Sequence, residues 1–268
     1  MDRAFQCRDP QDHRELMTSP DVERRFSGVA RLYGEAAYRR LQAAHVCVVG
    51  IGGVGSWCAE ALARTGIGRL TLIDLDMVAE SNTNRQIHAL GDIYGKAKVD
   101  AMTERIYGIN PACQVRTIED FVTEENVRRL LGDGFDFVID AIDQARVKVA
   151  IASYCRQCGQ ALIMAGAAGG QLDPTRVRIA DLAQTVQDPL LAKVRSALRR
   201  HHGFPRQGKL GVTAIYSDEA LRYPETRPSC DGPSPSGLNC AGFGSSVCVT
   251  SAFGMAAASH AIRQIGST

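Results

Sequence analysis

Net charge is the first thing this sequence lacks: across 268 residues, 31 basic side chains against 29 acidic ones leave a formal +2. So balanced a total implies neither a nucleic acid nor a membrane as partner, and local clusters must carry any such argument. An apolar leader is missing too, because the first 25 residues are rich in Asp, Arg and Gln, which argues against a secretory signal. There is no disulfide framework: the nine cysteines are odd in number and follow no framework spacing, as expected in a reducing compartment. The expected location is therefore the cytoplasm. Internal repeats are absent. Finally, Lys, Arg, Asp and Glu are absent from 243–262, a stretch of about bilayer-spanning length. Its Ala, Ser, Gly and Thr content and His260 make membrane insertion poor. A buried helix is expected there, with no obligate membrane partner.

What is present is an ordinary globular composition, 45% hydrophobic and 22% charged, enough for one large α/β domain or two small ones. Short apolar runs at 45–50, 70–74, 114–118, 135–142 and 161–165 read as strands. Between them 54–64, 96–107, 123–131 and 145–157 read as crossover helices. The alternation predicts a Rossmann-like, doubly wound, mainly parallel sheet. After Gly170 a strand at 176–180, a helix at 189–202 and a strand at 212–216 are expected to extend that sheet with antiparallel neighbours. Residues 222–244 are rich in Pro, Gly and Ser and read as a long mobile loop. The expected organisation is an N-terminal extension, 1–25, and a single domain, 26–268.

The strongest local signal is Val48-Val49-Gly50-Ile51-Gly52-Gly53-Val54-Gly55, a strand that runs through glycines into a helix. Gly50 permits the tight turn, Gly52 and Gly53 let backbone N–H groups approach phosphates, and Gly55 allows close helix packing. Asp74 ends the second strand, where a carboxylate accepts hydrogen bonds from ribose hydroxyls. Up to this point NAD fits as well as ATP. The following stretch, through Asp76 and Asn82-Thr83-Asn84-Arg85-Gln86 to Lys98, carries cations that NAD sites rarely need. When the α-phosphate of ATP is attacked, charge grows on departing pyrophosphate, and Arg85 and Lys98 suit its stabilisation. Asp140 and Asp143 stand at the end of the fourth strand, at the carboxyl edge where open α/β sheets bind ligands. Asp143 is the candidate magnesium ligand, since one carboxylate facing a triphosphate suffices; its spacing equally fits a helix N-cap.

From about Phe26 to Ala168 these elements resemble the ThiF/MoeB/HesA superfamily, the bacterial relatives of ubiquitin-activating enzymes. Within it, Arg31-Leu32-Tyr33-Gly34, Ala63-Arg64-Thr65-Gly66-Ile67-Gly68, 84–90 and Gly208-Lys209-Leu210-Gly211-Val212 look like the tRNA threonylcarbamoyladenosine dehydratase branch, over nearly the whole chain. The resemblance implies a homodimer that uses ATP and magnesium to cyclise the threonylcarbamoyl side chain next to the anticodon, by adenylating the threonine carboxylate. It places the adenylation site on Gly50, Gly52, Gly53, Gly55, Asp74, Asp76, Asn82, Asn84, Arg85, Gln86, Lys98 and Asp143. The alternatives are a sulfur-carrier-protein adenylyltransferase of the same superfamily, an NAD-dependent oxidoreductase, and a noncatalytic nucleotide-holding scaffold.

Sulfur-carrier-activating relatives usually hold zinc with two Cys-x-x-Cys pairs, whereas this chain has one, Cys155-Arg156-Gln157-Cys158. No zinc is expected. By the same resemblance Cys240, rather than Cys230, is the candidate thiol for accepting sulfur from a cysteine desulfurase system. Lys193, Arg195, Arg199, Arg200, Arg206 and Lys209 are candidate tRNA phosphate contacts. A solvated helix face is the commoner fate of such a run.

Overall fold

A computed structural model describes residues 21–223 and 243–267. Its centre is a seven-stranded sheet in the order β3-β2-β1-β4-β5-β7-β6. The strands are β1 (His45–Val49), β2 (Arg69–Ile73), β3 (Gln114–Ile118), β4 (Phe137–Asp140), β5 (Leu162–Ala165), β6 (Val177–Asp181) and β7 (Thr213–Ser217). All pairings are parallel except β6 with β7. The expected doubly wound sheet is thus present, and the antiparallel extension appears in the β6–β7 pairing.

The eight described α-helices are α1 (Val22–Tyr33), α2 (Glu35–Ala43), α3 (Gly55–Arg64), α4 (Lys98–Ile109), α5 (Val127–Leu130), α6 (Ala145–Cys158), α7 (Pro189–His201) and α8 (Val247–Ser267). Their boundaries follow local chemistry. Asp21 caps α1 by accepting the Arg24 N–H at 2.9 Å, and Asp188 caps α7 by accepting the Leu191 N–H at 2.8 Å, ahead of Pro189 in the first turn. Side-chain acceptors at this position satisfy N–H groups that the helix leaves unpaired. At the other end of α6, Gly159 takes the left-handed conformation that closes a helix without a Cβ penalty.

Strand alternation divides the core. Val46 and Val48 join Leu70 and Leu72 in a cluster shared with α3, α4 and α8. Cys47 and Val49 face the opposite side, with Ile73, Val138 and buried residues of α6. The uncharged C-terminal stretch is α8, buried through Val249, Phe253, Ala257, Ala261 and Ile265, a spacing that keeps one helix face inward. It lies so close to α3 that a Cβ on Gly254 would stand 2.5 Å from the Val54 carbonyl oxygen. No helix among the described residues is long and apolar enough to cross a membrane.

Register sets up the site. Val49 pairs with Ile73 on one side and with Asp140 on the other, so Gly50, Asp74 and Ala141 emerge level at the carboxyl edge of the sheet. From β1 the chain winds outward through β2 to β3, then returns to β1's other flank as β4. That reversal opens a crevice over β1 and β4, the place where open α/β sheets receive ligands.

Candidate active site

The glycine loop forms one wall of this crevice. Gly50 has φ +87°, and a Cβ there would press on Ile142 and on the Ala141 backbone at 3.0–3.1 Å. Gly55 is tighter still: a Cβ would collide with the Gly50 carbonyl oxygen, which explains why α3 can start directly beneath the turn. A Cβ on Gly52, in contrast, would meet only Gln86 Nε2, at an ordinary 4.0 Å.

Asp74 holds the loop from below. Its Oδ2 accepts the Ile51 N–H at 2.6 Å and its Oδ1 accepts the Asp76 N–H at 2.9 Å. Burial raises its carboxyl above the ordinary range, opposed by the Lys98 ammonium and these two N–H groups. Lys98 opens α4 and is itself buried, with Nζ 2.6 Å from the Asp76 carboxylate. Its position is fixed by its own backbone, whose N–H donates to the Asp76 carbonyl at 3.0 Å.

Arg85 comes from the turn after the short 3-10 segment Glu80–Asn82. Its Nη1 donates to the Ser81 carbonyl at 2.7 Å and to Asn84 Oδ1 at 2.9 Å. Trp57 Nε1 donates to the Arg85 carbonyl at 3.0 Å, tying this turn to α3. Partial burial lowers the guanidinium pKa, yet arginine stays charged in proteins. Gln86 is buried beside it with Oε1 lacking a partner among the described residues.

Asp143 reaches the crevice while Asp140 does not. Asp140 is fully buried, with Oδ1 3.0 Å from the Lys148 ammonium, and it also accepts the Ile142 N–H at 3.2 Å. The N-cap position of α6 falls on Gln144, whose side chain makes no capping bond.

The crevice therefore gathers Gly50, Gly52, Gly53, Asp74, Asp76, Arg85, Gln86, Lys98 and Asp143. Three other expected residues support it from outside the lining. Gly55 packs as described; Asn82 Oδ1 accepts the Ala79 N–H at 3.1 Å and shapes the turn; Asn84 Nδ2 donates to the Ser245 carbonyl at 3.1 Å. Sequence reasoning missed the far wall, Gly166, Ala168 and Gly169 after β5 and Phe243, Ser245 and Thr250 at the start of the last helix. Gly166-x-x-Gly169 following a strand was the one available signal for it.

The basic cluster divides. Arg195 is spent internally, its Nη1 donating to the Leu182 and Thr185 carbonyls and to Thr185 Oγ1. Arg199 donates to the Gly208 carbonyl at 3.1 Å. Lys193, Arg200, Arg206 and Lys209 are exposed. Cys155 is buried and Cys158 exposed, both as free thiols. No group of three or more His, Cys, Asp or Glu that could hold a metal occurs among the described residues. Cys230, Cys240 and most of the 222–244 segment lie outside the described residues, as does nearly all of 1–25.

A glycine cradle, a strand-end aspartate, two cations and a further carboxylate around one switch-point crevice define a mononucleotide-binding α/β protein. The chain belongs to the ThiF family, whose model matches residues 25–266. It is 51% identical over 260 residues to the tRNA threonylcarbamoyladenosine dehydratase of Escherichia coli K12, covering 93% of this chain and 96% of that one. The Haemophilus influenzae protein of the same name is 46% identical over 248 residues, covering 91% and 94%. Among solved structures, the E. coli dehydratase TcdA in complex with ATP superposes with a TM-score of 0.84 at 49% identity, over 93% of this chain and 97% of the other. A complex of the same enzyme with AMP gives the same TM-score.

Proposed function

We propose that this chain is an ATP-dependent tRNA threonylcarbamoyladenosine dehydratase: it adenylates the threonine carboxylate of the modified adenosine next to the anticodon and lets the side chain close into a ring. In the first step a carboxylate oxygen attacks the α-phosphorus and the bond to the bridging oxygen breaks, releasing pyrophosphate. In the second, an oxygen or nitrogen of the carbamoyl group attacks the activated carbonyl and AMP departs. The net change in the nucleoside is loss of one water.

The residues fit these steps. Backbone N–H groups of the glycine loop suit the phosphates, and Asp74 suits the ribose hydroxyls. Arg85 and Lys98 suit the charge that grows on pyrophosphate, an interaction worth most where it strengthens in the transition state. Asp143 would hold magnesium, whose remaining ligands are phosphate oxygens and water; a bound magnesium ion neutralises phosphate charge. The one observation that carries the reading is the convergence of Arg85, Lys98 and Asp143 on the crevice of the glycine loop. An NAD-dependent oxidoreductase has no use for that set.

We further read 26–268 as one catalytic domain after an N-terminal extension, acting in the cytoplasm as a homodimer. The exposed Lys193, Arg200, Arg206 and Lys209 are its candidate contacts to tRNA phosphates. Cys240 is the candidate sulfur-accepting thiol for a cysteine desulfurase system, a role dehydration does not need.

The test is nucleoside mass spectrometry of tRNA carrying the uncyclised modification, incubated with the purified protein and ATP. A product lighter by one water, with AMP and pyrophosphate formed alongside, is the expected result. Unchanged nucleoside under those conditions would refute it.

A further inference from the structure

Beneath the crevice lies an ion pair that the proposed chemistry does not use. Lys148 and Asp140 both have 0% side-chain exposure, 3.0 Å apart. Such a pair is a poor source of stability, because withdrawing two charges from water offsets most of their attraction, and apolar replacements of similar volume are often as stable. Its value must therefore lie in geometry.

The carboxylate paired with this ammonium fixes one wall of the crevice. Asp140 Oδ1 accepts the Ile142 N–H at 3.2 Å, setting the 141–143 turn that carries Asp143 and abuts Gly50. Among the described residues its Oδ2 has no hydrogen-bond partner and the lysine is the one cation paired with it. On the opposite wall, Asp188 Oδ2 accepts the Ala167 N–H at 2.8 Å, and Gly166 has no room for a Cβ against that oxygen. Burial raises the Asp188 carboxyl, and the Leu191 and Ala167 N–H groups and the Lys148 ammonium pull it back.

We infer that Lys148 is a positioning residue for the adenylation site: through Asp140 it holds the turn after β4 that carries Asp143 and abuts Gly50. The inference rests on the proposed function for its consequence in turnover, and on the hydrogen bonds alone for its mechanical part. Misplacing a reacting group by about 1 Å can slow a reaction about a hundredfold without disturbing binding.

Lys148→Met alone strands a buried carboxylate and can unfold the chain, so the decisive variant is the double change Asp140→Asn with Lys148→Met. It keeps an acceptor for the Ile142 N–H and removes both charges. The full-length double variant is expected to melt near the parent and keep its KM for ATP, with kcat for the cyclised nucleoside lower by about tenfold to a hundredfold. Amide hydrogen exchange should accelerate at Ile142 and stay parental at Ala167, which Asp188 holds. The inference is overturned by an unchanged kcat, by a kcat loss that comes with a collapsed melting transition, or by parental exchange at Ile142. A parent protein that makes no cyclised nucleoside would sink the proposed function instead, and the Ile142 amide would then decide the inference on its own.

Discussion

The Lys98 ammonium sits 2.6 Å from the Asp76 carboxylate across a sharp difference in environment, with side-chain exposures of 7% and 55%. The buried partner is the cation that faces the crevice; the exposed one can turn to water when it is released. Lys98→Ala should therefore lower adenylation by about tenfold to a thousandfold. The same change removes a buried side chain and the ammonium that opposes the burial of Asp74, so a lower melting temperature should accompany it. Pyrophosphate release alongside a thermal melt separates the two effects.

Arg85→Ala should give a similar loss in kcat, read by the same assay, because the guanidinium is aimed from a turn that Asn84 and Trp57 hold. Asn84→Ala removes both the Nη1 acceptor and the bond to the Ser245 carbonyl. We expect a smaller kcat loss for it than for Arg85→Ala, and an equal or larger loss would show that Asn84 acts directly on substrate.

Gly254→Ala tests the contact between α8 and α3. The added methyl meets the Val54 carbonyl oxygen at 2.5 Å, Trp57 Cβ at 2.8 Å and the Cys58 nitrogen at 2.9 Å, two of them backbone atoms that cannot swing aside. Overpacking of this kind costs about 1–3 kcal/mol, a fall of several degrees in melting temperature for a chain of this size. Because Val54 also lines the crevice, KM for ATP should rise with it.

His88 gives the protein an acid-sensitive limb. Burial lowers its pKa to about 4 from 6.5, with Lys98 and Arg105 adding to the effect, and neither ring nitrogen has a hydrogen-bond partner among the described residues. A depressed histidine leaves the unfolded chain holding the extra proton. Its contribution is thus fully present above about pH 6.5 and is lost as pH falls towards 4, by about 3 kcal/mol in total. His88→Leu should flatten stability against pH in that window, measured by urea unfolding from pH 4 to 7, and an unchanged slope would exclude His88 as its source.

What the sequence determined by itself was everything that depends on neighbours along the chain. Glycines at 50, 52, 53 and 55 announce a turn that only small residues can make, and alternating strand and helix periods give the parallel winding that places Gly50, Asp74 and Asp143 at one edge. Tertiary structure decided the rest. Ser245 closes on Asn84 across 161 positions, Arg195 and Arg199 turn inward to backbone carbonyls, and Lys148 disappears beneath the crevice. No periodicity marks these, because whether a charged side chain meets water, a carbonyl or a carboxylate is set by segments that packing brings together from far apart.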